Sequence, residues 1–334
     1  MRKKVTEELA TTPVEDLDPR ALELNREALV VDAHVDTVIH LDRGGRGLAS
    51  RGRGHLDLER LRAAGVNVLF FAHYIRPQFK PHLALAELMT LMDRTLGEAE
   101  GEGVAIVTDA PSARRAAASG QLGLYLTIEG GEVLHGRPEI LRVIHRLGFR
   151  SMSLTWNQRN QLADGVWERS TGGGLSSVGA AVVREMSRLG MLVDVAHLSE
   201  AGFWDVMETA DPGRVIASHA NASALCAHPR NLSDEQIKGL AQHGGVMGIT
   251  LAPDFVHPTD PCLLGVLDHL EHAVSLVGPD HVGLGTDFDG IRRTPRGLSD
   301  VSCLPRITAG LLARGWRPGE IRKVLGENFL RVMG

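Results

Sequence analysis

The 334-residue sequence has few aromatic residues, few cysteines and no long hydrophobic run. Phe, Trp and Tyr together make up 4% of the chain, whereas histidine alone occurs 15 times. The three cysteines (Cys226, Cys262 and Cys303) lack CxxC spacing, which argues against a zinc-ribbon module and a disulfide scaffold and favours a reducing compartment. No stretch of about 18 apolar residues occurs, so no membrane-spanning helix is predicted. No apolar segment of a secretory signal follows the basic start of the chain.

Positive charge is also in short supply. Lys and Arg number 36 against 41 Asp and Glu, a net charge of −5, which excludes the cationic surface that nucleic-acid binding needs. Apolar residues make up 43% and charged residues 23%, as is typical of globular proteins. We therefore expect a cytoplasmic globular protein that binds neither nucleic acid nor membranes.

Short apolar runs alternate with helical patterns along the chain. The eight runs cover residues 29–36, 66–73, 123–129, 149–156, 191–197, 214–219, 245–251 and 281–287. Such nearly continuous apolar runs are typical of parallel strands covered on both faces. An extra short strand is predicted at residues 104–107, after a helix over about residues 83–100.

Eight β/α units predict an α/β fold, a (β/α)8 TIM barrel. We expect residues 1–334 to form one barrel domain, with residues 1–20 as an N-terminal arm. The rival architecture is a doubly wound open sheet. It would need a glycine-rich phosphate turn after its first strand, and residues 44–54 match neither known form of that turn.

Ionisable side chains recur where the predicted strands end. Asp32, His34 and Asp36 alternate along the first strand, so regular pleating would place them on one face. The later strand ends carry Glu129, His197, His219 and Asp287. Active sites of TIM barrels lie where the C-terminal strand ends meet. Imidazoles and carboxylates without thiolates suit zinc, manganese, iron or cobalt, and a carboxylate between two histidine clusters can bridge two ions.

Taken in order, these motifs resemble the membrane dipeptidase (renal dipeptidase) family of zinc metallopeptidases, in particular its soluble bacterial members. The resemblance extends from about Val30 to Met333. Its landmarks are Asp32-Ala33-His34-Val35-Asp36, Ile128-Glu129-Gly130-Gly131, Val193-Asp194-Val195-Ala196-His197, Ser218-His219, Arg230-Asn231, Gly285-Thr286-Asp287-Phe288-Asp289-Gly290 and the closing Glu327-Asn328-Phe329-Leu330-Arg331-Val332.

The resemblance implies a binuclear zinc centre with two Zn²⁺ per chain, for which Mn²⁺, Co²⁺ or Fe²⁺ could substitute. His34 and Asp36 would hold one ion, His197 and His219 the other, and Glu129 would bridge them. The family's first-strand pattern is His-x-Asp, which this sequence matches. A homodimer is the family expectation.

The resemblance also implies roles in substrate binding. Arg230 matches the arginine that binds the substrate carboxylate. Asp287 matches an aspartate near the substrate amino group and the bridging water, either as acid and base or as the ammonium anchor. Mammalian members have a histidine near the scissile carbonyl where this chain has Trp156, followed by Asn157. Whether Asn157 or a metal ion polarises the carbonyl stays open.

The reaction that the resemblance implies is hydrolysis of a free dipeptide, L,L and also L,D, by a hydroxide that bridges two zinc ions. One alternative is a hydrolase with the same metal frame that acts on a lactone, a cyclic amide or a carbon–carbon bond. Another is a barrel that binds metal without catalysis.

Two further expectations concern residues near the site. The arginines of residues 44–54 follow the first strand and predict a preference for acidic dipeptides. His73 also lies at a strand end, where a structural role is favoured over one in the pocket.

Overall fold

A parallel β-barrel forms the centre of the protein in this computed structural model, which describes residues 7–42, 45–52 and 54–334. The strands are β1 (Val30–Val35), β2 (Val66–Tyr74), β3 (Val104–Val107), β4 (Leu122–Glu129), β5 (Ser151–Ser153), β6 (Leu192–Asp194), β7 (Val215–Ala220), β8 (Val246–Ile249) and β9 (Val282–Leu284). They pair in the order β2-β1-β9-β8-β7-β6-β5-β4-β3, and a β2–β4 pairing closes the barrel. The predicted TIM barrel is confirmed.

The strand β3 stands outside the closed ring of eight. It pairs with the first half of β4, from Leu122 to Tyr125, whereas β5 pairs with the second half, from Thr127 to Glu129. The extra strand predicted at residues 104–107 is therefore confirmed, and it widens the barrel wall without joining the ring.

Helices connect the strands and cover the barrel. They are α1 (Pro19–Glu27), α2 (Leu58–Ala63), α3 (Ala84–Ala99), α4 (Ala110–Ala118), α5 (Pro138–Arg146), α6 (Ser177–Arg188), α7 (Glu200–Thr209), α8 (Asp234–Gln242), α9 (Pro253–Val256), α10 (Leu263–Val277), α11 (Pro305–Ala313), α12 (Pro318–Arg322) and α13 (Asn328–Met333). Side-chain caps fix several helix starts, as where Ser233 accepts a hydrogen bond from the Gln236 amide at α8. In the described part of the chain, no helix has the length and apolar character that crossing a bilayer requires.

Two layers of apolar side chains hold the barrel together. The larger cluster lies between strands and helices. The second joins residues of seven strands to the C-terminal helix α13, where Phe70 packs at ring-centroid distances of 4.5 Å from Tyr125 and 5.5 Å from Phe329. Burial of each large apolar side chain contributes roughly 1.5–3 kcal/mol to the stability of the fold. This packing therefore stabilises the barrel whose strand ends carry the polar side chains.

The N-terminal segment packs against α11. Leu17 and Ala21 form a small apolar cluster with Ala309, and Arg306 donates a hydrogen bond to the carbonyl of Thr12 over 2.9 Å. Residues 1–6 of the predicted arm lie outside the described residues.

Candidate metal centre and active site

The predicted ligands meet at one end of the barrel. His34 and His219 lie within β1 and β7, and Glu129 is the last residue of β4. His197 and Asp287 instead lie in loops after β6 and β9, which end three residues earlier than the predicted strands. Both have left-handed backbones, with φ of 71° and 64°, and such strained non-glycine residues cluster at functional sites.

Three imidazoles surround the Glu129 carboxylate. Its Oε1 lies 2.7 Å from Nε2 of His197 and 3.9 Å from Nε2 of His219, and its Oε2 lies 3.8 Å from Nε2 of His34. The Nε2 atoms of His197 and His219 are themselves 2.9 Å apart. Glu129 therefore has the central position that a bridging ligand needs.

Two further carboxylates lie on the His34 side of this cluster. Nε2 of His34 is 3.4 Å from Oδ2 of Asp36. Ligand atoms come within 4.8 Å of one another in two overlapping groups, one of His34, Glu129 and His219 and the other of His34, Asp36 and Asp287. A Cβ at Gly290 would overlap the carboxylates of Asp36 and Asp287, so only glycine permits this close approach of the backbone.

The site has the donors of a divalent cation centre. Nε2 of His34 and Oδ1 of Asp36 are buried and have no hydrogen-bond partner among the described residues. Such orphaned acceptors are costly unless another group satisfies them. A ligand set of imidazole and carboxylate suits zinc and its first-row neighbours, so the residues fit the metal chemistry of the sequence prediction.

Electrostatics support the same interpretation. Burial raises the pKa of Asp36 to about 7, and burial together with the charge of Asp36 raises the pKa of Asp287 to about 8. Burial also raises the pKa of Glu129 well above its usual range and lowers the pKa values of His197 and His219. The three carboxyl groups outnumber the one guanidinium beside them, that of Arg230, and a bound dication would supply the missing positive charge.

Hydrogen bonds to the other ring nitrogen orient two of the histidines. Nδ1 of His197 donates to Oδ1 of Asn157 over 2.8 Å. Nδ1 of His219 donates to Oγ of Ser218 over 2.8 Å, and that hydroxyl donates to Oδ2 of Asp194 over 2.5 Å. Both Nε2 atoms are thereby left with a lone pair, the form that binds metal. Sequence reasoning placed Asp194 and Ser218 in motifs but missed this positioning role.

The expectation that Asp32 shares a face with His34 and Asp36 is wrong. The β1–β2 register shifts between Asp32 and Val35, which breaks regular alternation. Asp32 instead accepts hydrogen bonds from the amide and hydroxyl of Thr286, at 2.8 and 2.6 Å. It joins β1 to the chain just before Asp287 and is a structural residue.

A cavity of about 440 Å³ opens above the cluster, within the size range of small-molecule sites. Tyr74, Trp156, Asn157 and Arg230 line it together with Asp36, Glu129, His197, His219 and Asp287. The Trp156 ring lies 5.3 Å from both the Tyr74 and the Trp167 rings, between centroids. The two residues predicted from the Trp-Asn pair are therefore at the cavity wall, where Asn157 contacts His197.

A buried ion pair lies behind this aromatic wall. Nζ of Lys80 is 3.1 Å from Oε1 of Glu132, and the two side chains are 11% and 4% exposed. The ammonium also lies 5.5 and 5.6 Å from the ring centroids of Tyr74 and Trp156. Sequence reasoning missed Lys80, because nothing in the local pattern shows that its side chain turns inward.

Arg230 is buried beside His197 and His219. Its Nη2 donates to Nε2 of His219 over 2.8 Å, and its guanidinium lies 5.6 Å from the ring centroid of Phe255. The neighbouring Asn231 holds the loop, because its amide donates to the carbonyls of Cys226 and Phe255 at 2.9 and 2.8 Å. Burial lowers the pKa of Arg230 to about 10.

The arginines of residues 44–54 are not at this cavity where the structure describes them. Arg46 lies 3.9 Å from the carboxylate of Asp289, and Arg51 pairs with Glu59 at 2.5 Å. Neither lines the cavity, and Arg53 lies outside the described residues. Both side chains lie near carboxylates outside the cavity lining, so the predicted source of an acidic preference is wrong for Arg46 and Arg51.

His73 has the structural role that was favoured. It is fully buried, its Nδ1 lies 3.0 Å from the carbonyl of Phe71, and its Nε2 lies 3.0 Å from the Thr95 hydroxyl. Its side chain belongs to the core and does not line the cavity.

Comparisons with known proteins agree with this geometry. The profile of the membrane dipeptidase family, peptidase family M19, matches residues 19–334. Dipeptidase verJ of Clonostachys rogersoniana is 33% identical over 294 residues, which cover 84% of this chain and 75% of that protein. Dipeptidase aclJ of Aspergillus oryzae is 40% identical over 220 residues, 64% of this chain and 52% of that protein.

A solved structure shares the whole architecture. The crystal structure of a metallopeptidase from Rhodobacter sphaeroides, liganded with a phosphinate mimic of the dipeptide L-Ala-D-Ala, superposes with a TM-score of 0.86 at 28% identity. The match covers 92% of this chain and 98% of that one. The chain therefore belongs to the membrane dipeptidase family, peptidase family M19, and is a metallodipeptidase.

Proposed function

We propose that this protein is a binuclear zinc dipeptidase that hydrolyses free L,L and L,D dipeptides. The observation that carries the proposal is the convergence of His34, Asp36, Glu129, His197 and His219 in one cluster, four members of which line the cavity. His34 and Asp36 would hold one ion and His197 and His219 the other, with Glu129 shared. When bound, two such ions supply carbonyl polarisation and a water ligand of lowered pKa.

Arg230 is the group for the free carboxylate of the substrate. Its guanidinium is buried at the cavity, and its Nε has no hydrogen-bond partner among the described residues. A planar fork of donors suits bidentate binding of a carboxylate. A buried group that binds a free carboxylate would favour substrates whose chain ends at that residue, such as dipeptides.

Asp287 is the group for proton transfer or for the substrate ammonium. Its amide donates to the carbonyl of His34 over 3.0 Å, which fixes its strained backbone beside the cluster. As acid and base it would take a proton from the attacking water and return it to the leaving amine. As an anchor it would bind the free amino group. Arg230 and Asp287 would then bind the two ends of the substrate and so select its length.

Acceptance of a D-residue is supported by the relative from Rhodobacter sphaeroides, whose bound ligand mimics L-Ala-D-Ala. Recognition of the two substrate ends is tested first, because L,L and L,D dipeptides have the same free amino and carboxyl termini. The stereochemical preference then follows from comparing L-Ala-L-Ala with L-Ala-D-Ala.

The proposal is tested by metal analysis of the purified protein together with a dipeptide panel. We expect two equivalents of zinc and hydrolysis of Ala-Ala but not of its N-acetylated or C-amidated forms. Arg230→Lys should raise KM because a point charge cannot replace the fork, while Asp287→Asn should lower kcat if the residue transfers protons and raise KM if it anchors the amine. Equal turnover of blocked and free dipeptides would refute recognition of both ends.

A further inference from the structure

The rim of the cavity has a different charge from the rest of the protein. The charged side chains near its floor are buried or half-buried, whereas Asp254, Arg292 and Arg293 line the mouth and are exposed. Two arginines against one aspartate make the rim cationic, although the chain as a whole carries a net charge of −5. A local excess of one sign at a cleft selects ligands of the opposite sign.

Only one of the two arginines is free to bind a ligand. Nη2 of Arg293 lies 3.6 Å from Oδ1 of Asp254, so these two exposed charges largely compensate each other. Arg292 has no ion pair or hydrogen bond from its side chain to any residue within 7–42, 45–52 or 54–334. Its charge is therefore the uncompensated one at the rim.

The backbone holds Arg292 close to the reacting groups. The amides of Gly290 and Ile291 both donate to the carbonyl of Asp287 over 3.1 Å, which forms a tight turn. Arg292 follows this turn and lines the same cavity as Asp287. A substrate held between Asp287 and Arg230 would extend its side chains towards this rim.

We propose that Arg292 binds the side-chain carboxylate of an acidic residue, so that the protein prefers dipeptides containing Glu or Asp. This inference rests on the proposed dipeptidase function and adds a substrate class to it. The guanidinium fork can accept a carboxylate in bidentate geometry, whereas the isosteric amide of Gln or Asn gains no charge-assisted bond. The residue is exposed, so the contribution is modest and appears in KM.

Isosteric pairs of substrates test the inference. Kinetics are measured for L-Glu-L-Ala against L-Gln-L-Ala and for L-Ala-L-Glu against L-Ala-L-Gln, which also shows which of the two residues faces Arg292. We expect the acidic member of at least one pair to have a KM lower by about three- to tenfold at low salt, a preference that weakens at 0.5 M salt as screening increases.

Two variants distinguish a direct contact between Arg292 and the substrate from an effect of the net positive charge of the rim. Arg292→Gln and Arg293→Gln each remove one positive charge, but only Arg292 is unpaired. We expect Arg292→Gln to abolish the acidic preference and leave Gln dipeptides unchanged, and Arg293→Gln to retain most of it. Equal loss in both variants overturns the role of Arg292.

The results also distinguish the two levels of the proposal. Turnover of Gln dipeptides without any acidic preference overturns the inference about Arg292 and leaves the dipeptidase function standing. Absence of turnover for every dipeptide in a zinc-loaded protein overturns the proposed function and this inference with it.

Discussion

Nδ1 of His197 donates a hydrogen bond to Oδ1 of Asn157 over 2.8 Å, and the Nε2 of the same ring lies 2.7 Å from Glu129. One side of the imidazole is thus held by the loop after β5, while the other side faces the carboxylate at the centre of the cluster. Asn157 therefore positions His197, a proposed metal ligand, and also lines the cavity wall.

Replacement of Asn157 by Leu should weaken metal binding. Without its acceptor, His197 loses its fixed ring orientation and tautomer, and loss of such an outer partner typically costs about ten- to a hundredfold in metal affinity. Asn157→Asp keeps an acceptor and is the matched control. Competition with a chelator measures both, and wild-type affinity in the Leu variant would contradict the positioning role.

Glu129→Gln should impair loading of both metal positions. The amide keeps the shape of the side chain but loses the charge that lies among three histidines. We expect well under two zinc equivalents per chain by elemental analysis. Glu98→Gln is the control, because Glu98 is a half-buried carboxylate that binds the Leu48 amide away from the cavity. Full occupancy in Glu129→Gln would refute the bridge.

Removal of metal should make stability depend on pH. In the ion-free protein the pKa values of Asp36 and Asp287 are about 7 and about 8, above their value of 3.8 in the unfolded chain. The folded state therefore binds more protons between these limits, and stability falls as pH rises through them. We expect a loss on the order of a few kcal/mol from pH 6 to pH 8 after chelation.

The zinc-loaded protein should not show this decline, because the ions neutralise the carboxylates. Thermal unfolding with and without chelator across the pH range measures the difference in stability between the two forms, which should widen towards alkaline pH. If the difference in stability between the zinc-loaded and the chelated protein narrows instead, burial does not raise the pKa values of these carboxyl groups.

Disruption of the Lys80–Glu132 pair should destabilise the protein. Glu132→Gln leaves a buried ammonium without its partner, which typically costs about 3–5 kcal/mol. The exposed pair of Arg322 and Glu27, at 2.8 Å, is the control, and Glu27→Gln should cost less than about 1 kcal/mol. Denaturant midpoints at constant m-value measure both.

The double variant Lys80→Met with Glu132→Gln should recover part of the loss, because it removes the unpaired charge. If Glu132→Gln costs no more than Glu27→Gln, water or a neighbouring group compensates Lys80, and the pair is not a buried one in solution.

Much of the architecture could be predicted from the amino-acid pattern alone. Each of the eight predicted apolar runs overlaps a barrel strand, and the extra strand at residues 104–107 lies where it was expected. Apolar periodicity is a local property of the chain, so it can be recognised before any partner strand is known. The helix predicted over about residues 83–100 is observed as Ala84–Ala99 for the same reason.

The candidate site residues could likewise be proposed from the sequence, because ionisable groups at strand ends are costly to bury unless they are paired or bind a metal. Tertiary structure decided which of them face one another. The register shift in β1 directs Asp32 to Thr286 and away from the candidate ligands, and pairing of β6 with β7 brings Asp194 to Ser218.

The charge at the cavity mouth was decided in the same way. Arg46 and Arg292 are both arginines in loops at the C-terminal ends of strands, and nothing in their local sequence distinguishes them. Arg46 lies near Asp289, whereas Arg292 lines the cavity unpaired within the described chain. The reason is that loop direction depends on contacts between segments distant in sequence, which no local pattern encodes, while the alternation of strands and helices depends on neighbours along the chain.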